Sequence, residues 1–176
     1  DVIDNYTGSY SMTQHLIKKG YQKIAFVTIE GGMNQMTERL SGYKCALKDN
    51  DVAVDQELIF SMPFSAAANG EIKQLQSFIK RQKKADAVFF ATNYLGVLGL
   101  ECISNLNITI PSQLAVVVFD DHDLFRLQRP AITVVAQPIE KLANEAINAL
   151  LYLMETPKPL IQQIRIVPEL ILRHSE

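Results

Sequence analysis

Short, nearly continuous apolar runs alternate with amphipathic segments along this chain, and few folds accommodate that order. "KIAFVT" (Lys23–Thr28) reads as a strand covered on both faces, and Leu58–Met62, "DAVFFAT" (Asp86–Thr92) and "LAVVVFD" (Leu114–Asp120) read as further strands. The spacing between them predicts helices over Gln35–Lys48, Ala66–Arg81 and Asn93–Ser104. These are striped by Tyr43 with Leu47, by Leu75 with Phe78, and by Leu95, Leu98 and Cys102. An opening helix is expected over Thr7–Lys19, with Thr7 as its cap and Gly20 as its stop. Ile139–Met154 has the clearest helical period, with Ile139, Leu142, Ala146, Ile147, Leu150 and Met154 on one apolar face. "ITVVAQP" (Ile132–Pro138) reads as an extended crossing. "IRIVPELILR" (Ile164–Arg173) reads as a closing strand that Pro168 confines to an edge or a bulge. The order predicts an α/β fold with a Rossmann-like, mainly parallel sheet flanked by helices.

Sheets of this kind bind ligands beyond the carboxyl ends of their strands, where strand order reverses. The residues at those ends are "TIEGG", "MPFS", "TNY" and "DDHD", and the last two are the most pointed chemically. The acids after the fourth run admit three readings. Asp121 and Asp123 have the DxD spacing of a Mg²⁺-dependent phosphatase of the haloacid-dehalogenase type. That motif normally continues into Gly or Thr on the first strand, whereas here Leu124 and Phe125 follow and three strands precede. Asp120 and Asp121 form a second candidate, a carboxylate dyad, but neighbours on an extended strand point to opposite faces. No nucleophile elbow, dinucleotide fingerprint or P-loop accompanies them. The third reading is a clamp for a neutral ligand. A carboxylate accepts two hydrogen bonds, an arginine donates two in a planar fork, and an asparagine offers one of each. Arg39, Asn93 and Asp120 supply those groups, with Phe64 and Tyr94 as aromatic walls.

Composition narrows the partners. Lys and Arg total 17 against 19 Asp and Glu, a net charge of -2, so this chain is a poor binder of nucleic acid on electrostatic grounds. "KRQKK" (Lys80–Lys84) reads as the solvated end of a helix. No apolar run is long enough to span a membrane. Cys45 and Cys102 lack metal or redox spacing and read as buried, reduced thiols, as expected of a cytoplasmic protein. Neither a metal nor an organic cofactor is expected. The chain begins without Met, and "VID" reads as the end of a strand that starts upstream, as in a fragment of a longer protein.

"HLIKKGYQKIAFVT", "RLSGYKCAL", "FATNYLGVLGL", "PSQLAVVVFDD" and "ITVVAQPIEKLANEAINALL", in this order, resemble the effector-binding core of the lactose-repressor and galactose-repressor (LacI/GalR) family. The resemblance covers essentially the whole chain. It implies a type I periplasmic-binding-protein fold, two Rossmann-like subdomains with a small-molecule, sugar-like effector between them. Residues 1–20 would belong to a largely absent N-terminal subdomain, and 21–132 to the C-terminal effector-binding subdomain. Residues 133–160 would return to the first subdomain, and 161–176 would close the second.

On that template Arg39, Asn93 and Asp120 match positions that reach the effector, and Phe64 falls one residue from a stacking position. Tyr94 stands where Asp is common, Val118 where Gly is usual, and Gln113 where Asp is frequent. Leu95, Leu98, Leu124 and Leu127 are expected either in the core or in a homodimer interface. Operator DNA would be bound by a helix-turn-helix upstream of Asp1, not by this chain. A periplasmic sugar-binding protein of an uptake system shares the fold and is the alternative.

Overall fold

The computed structural model describes residues 2–63, 68–82, 85–155 and 164–176. The chain runs β1 (Val2–Ile3), α1 (Asn5–Lys18), β2 (Ile24–Ile29), α2 (Asn34–Asp49), β3 (Ile59–Met62), α3 (Ala68–Arg81) and β4 (Ala87–Phe90). It continues through α4 (Asn93–Asn105), β5 (Ala115–Phe119), α5 (Asp123–Leu127), β6 (Thr133–Ala136), α6 (Ile139–Glu155), β7 (Arg165–Ile166) and β8 (Glu169–Ile171).

Six strands form one sheet in the order β3-β2-β4-β5-β6-β8, parallel throughout except for β8 at one edge. The central strands β4 and β5 are buried at every residue, as their unbroken apolar runs require. β1 and β7 pair parallel with each other in a separate two-stranded sheet. The chain leaves β2 for β3 on one side and returns to β4 on the other, so the switch point lies between β2 and β4.

Helices α1 and α2 pack together over one face, and α3 with α4 over the other. The α1–α2 approach is close enough that a Cβ on Gly42 would lie 2.3 Å from the Tyr6 carbonyl oxygen. Tyr43, next to it, is fully buried; its ring stacks on Phe26 and its hydroxyl donates to the Ile24 carbonyl at 2.7 Å.

Several expectations need correction. The cap of α1 is Asp4, whose carboxylate accepts from the Thr7 N–H at 2.9 Å and the Thr7 hydroxyl at 2.8 Å, so the helix starts two residues before Thr7. This helix packs on α2, β6 and β8. "ITVVAQP" is no mere crossing: Thr133–Ala136 pairs with β5 and β8 as a full strand. Pro168 splits the closing segment, leaving β7 in the small sheet and β8 at the edge of the large one. Leu95, considered for a dimer interface, is fully buried in the core and offers no surface to a second copy. Cys102 is buried as expected, whereas Cys45 is only half-buried.

α6 differs from every other long helix. None of its residues is buried, and Ile139, Ile147, Leu150 and Met154 are exposed along the face that its periodicity marked out.

Candidate functional site

An open cleft of ≈ 650 Å³ lies at the carboxyl ends of β2, β4, β5 and β6. Parallel strands end there together, so the first residues after each strand are delivered to one place. Thr92, Asn93 and Tyr94 come from the end of β4, Asp120 from β5 and Gln137 from β6. α2 contributes Glu38 and Arg39 from its first turns, and Asn5 and Arg165 enter beside the small sheet.

Arg39 is the centre of the arrangement and is only 4% exposed. Its Nε donates to Asn5 Oδ1 at 2.8 Å, and Nη1 donates to the Ala91 carbonyl at 2.6 Å and to Asp120 Oδ2 at 3.0 Å. Nη2 reaches Asp120 Oδ1 at 3.5 Å, and the guanidinium carbon lies 3.6 Å over the Phe119 ring. Burial pulls the Arg39 pKa below its ordinary value, and the Asp120 carboxylate pushes back. The guanidinium is therefore held in one orientation at the cleft wall rather than paired with Glu38 or Asp49 on the helix surface.

Asp120 follows the last buried residue of β5 with a left-handed backbone, φ 72°. Its N–H donates to the Val135 carbonyl at 2.8 Å, which ties it to β6. Gln137 Nε2 donates to its Oδ1 from the opposite side, so the carboxylate is shared between an arginine and an amide. Asp and Asn tolerate this backbone better than other side chains.

Asn93 lines the cleft but does not cap α4. Thr92 holds that place, its hydroxyl accepting from the Leu95 N–H at 3.1 Å, and Asn93 is the first helical residue. Tyr94 lies beside it at the cleft and is half-exposed. Phe64 lies outside the described residues.

The two acids after Asp120 belong elsewhere. Asp121 receives a two-pronged hydrogen bond from Arg173, at 3.1 and 2.6 Å, so it is not a solvated loop residue. Burial alone would raise its pKa. The hydrogen bonds from Arg173 and the His122 N–H, with the arginine's charge, outweigh burial and bring it below the ordinary carboxylate value. Asp123 pairs with Arg126 on the surface of α5, and His122 caps that helix by accepting from the Leu124 N–H at 3.1 Å. Asp121 and Asp123 thus each hold an arginine, which leaves no open DxD site. No group of His, Cys, Asp and Glu suited to a metal occurs among the described residues.

Sequence reasoning missed Gln137, Asn5 and Glu38. The strand-end rule would have found Gln137 had "ITVVAQP" been read as a strand. Asn5 precedes the first predicted helix, and its approach to Arg39, 34 positions away, has no local signature.

A profile of the periplasmic binding protein-like domain matches residues 13–176. The HTH-type transcriptional regulator DegA of Bacillus subtilis (strain 168) is 26% identical over 174 residues, 99% of this chain and 51% of its own length. The ribose operon repressor of Haemophilus influenzae is 27% identical over 168 residues, 96% of this chain and 50% of its own. Among solved structures, the transcriptional regulator CelR–cellobiose complex superposes with a TM-score of 0.82 at 29% identity, covering 99% of this chain and 53% of that one. This chain spans about half the length of the curated relatives it matches.

Proposed function

The chain belongs to the periplasmic binding protein-like domain family, and we propose that it is the effector-sensing core of a LacI/GalR-type transcriptional regulator. The effector would be a sugar or a related small metabolite, held by Arg39, Asn93, Asp120 and Gln137, with Tyr94 as a wall. The observation that carries this reading is the Arg39–Asp120 pair, fixed at the switch-point cleft with donors and acceptors on both sides. Relatives named for ribose and bound to cellobiose favour a sugar. They are regulators, and this favours sensing over uptake and over turnover. No described helix is long and apolar enough to cross a membrane.

The bare apolar face of α6 and the two-stranded sheet β1–β7 would belong to a second subdomain across the cleft. Effector binding would then shift the angle between subdomains, because a ligand that touches both favours the closed arrangement. Operator DNA would be held by a helix-turn-helix upstream of Asp1, in a cytoplasmic homodimer. Leu124 and Leu127, both exposed on α5, and half-buried Leu98 would contribute to its interface.

The test is a thermal-shift screen of the intact regulator against neutral sugars, ribose and cellobiose among them, with Asp120→Asn alongside. Asn keeps the shape and the left-handed backbone and removes only the charge. A bound sugar at 100 times its dissociation constant adds about 2.7 kcal/mol of stability to the native protein. A shift that Asp120→Asn abolishes supports the reading, and a sugar shift unchanged in that variant moves the site away from Asp120.

A further inference from the structure

Glu38 precedes the buried arginine in α2, and its side chain turns to the cleft. One carboxylate oxygen lies 3.7 Å from Arg165 Nη2, and the other accepts from Asn5 Nδ2 at 3.5 Å. Among the described residues two guanidinium groups line the cleft, and each faces a carboxylate of the same cleft: Arg39 with Asp120, Arg165 with Glu38. Resting on the effector-cleft reading above, we propose that Glu38 is a specificity-determining residue that restricts the cleft to uncharged ligands and excludes phosphorylated ones.

The two cations differ in what an anion can recruit. Arg39 is buried, its Nε and Nη1 are held by Asn5, Ala91 and Asp120, and its charge is already matched by Asp120, so it offers an anion Nη2 but little unpaired charge. Arg165 is half-exposed on β7, and Glu38 is the carboxylate that faces it, at 3.7 Å. An incoming phosphate meets two carboxylates in a cleft whose positive charge is already matched. A polyhydroxylated neutral ligand meets the opposite situation, because carboxylate oxygens accept from hydroxyls and the amides of Asn93 and Gln137 both donate and accept. Specificity of this kind comes from a repulsive element as much as from attraction.

Inorganic phosphate is the direct probe, titrated calorimetrically at low ionic strength into the intact protein, E38Q and E38Q/R165Q. Glu38→Ser is a second neutral variant, should E38Q fold poorly. The expected result is no saturable binding to the native cleft, at least ten-fold tighter binding to E38Q, and loss of that gain in E38Q/R165Q. Saturable phosphate binding to the native protein that Arg165→Gln removes would overturn the proposal. So would an absence of gain in both Glu38 variants, or a gain that persists without Arg165. None of these outcomes depends on sugar binding, whose sensitivity to Asp120→Asn is read separately.

Discussion

Arg39 and Asp120 stand 81 positions apart in sequence and meet at 3.0 Å where β5 ends. The arginine comes from the first half of α2 and the aspartate from a left-handed residue just past the sheet, so the pair locks helix to strand end. The same pair that would grip a ligand therefore contributes to the fold.

Asp120→Asn is expected to destabilise the protein by about 2–3 kcal/mol, because it leaves a buried guanidinium without its counter-charge. The Asp120 side chain is 19% exposed, which keeps the loss below that of a fully buried pair. Urea denaturation measures it, and Arg39→Met combined with Asp120→Asn should recover part of the loss. A loss under about 0.5 kcal/mol would show that water compensates Arg39 after all.

Gly42→Ala is expected to cost about 1–3 kcal/mol, since the new methyl meets backbone rather than a side chain that can turn aside. The built Cβ lies 2.3 Å from the Tyr6 carbonyl oxygen and 2.9 Å from the Tyr10 nitrogen. Chemical denaturation reads the effect, and unchanged stability would mean that α1 and α2 separate more easily than their packing implies.

The Asp121–Arg173 pair predicts a pH dependence. The Asp121 pKa is lower in the folded protein than in the unfolded chain, whose aspartates titrate near ~3.9. Its contribution is therefore full above that unfolded value and is lost as pH falls through the lower, folded one. Asp121→Asn should reduce stability at pH 7, and the gap to the native protein should narrow progressively below about pH 4. A gap that stays constant between pH 6 and pH 3 would remove the ion pair as the cause.

Burial pushes the Cys102 thiol up to about 11, with the nearby Glu101 charge adding to it, so little thiolate is present at neutral pH. Its hydrogen bond to the Ile72 carbonyl, 3.6 Å, fixes it between α3 and α4. Iodoacetamide at pH 8 should leave Cys102 unmodified in the folded protein and label it once urea unfolds the chain. Labelling at equal rates in both states, followed by peptide mass spectrometry, would show that the core opens locally.

The strands that were easiest to read are those with no alternation to interpret. "DAVFFAT" and "LAVVVFD" are apolar on both faces because helices cover both, and burial at every residue of β4 and β5 follows. The strand-end rule then points to Asn93 and Asp120, and both line the cleft. Local pattern failed where a residue's partner is distant. Nothing local marks Asp121 as an ion-pair partner because Arg173 lies 52 positions away, and Leu95 was ambiguous because an apolar helix residue looks the same facing the core or a partner. Pro168 signalled an interruption, but not that β7 and β8 would join different sheets.

By itself the sequence determined the alternation of elements, the parallel character of the sheet and the polar residues waiting at the strand ends. Those follow from backbone hydrogen bonding and the periodicity of burial, which are local. Only the tertiary structure decided that the strand order β3-β2-β4-β5-β6-β8 brings Asn5, Glu38, Arg39, Asp120, Gln137 and Arg165 around one cleft. It also decided that each arginine there is matched by a carboxylate. The reason is physical: charge pairing and close helix contact depend on distances across the fold, and no spacing along the chain encodes them.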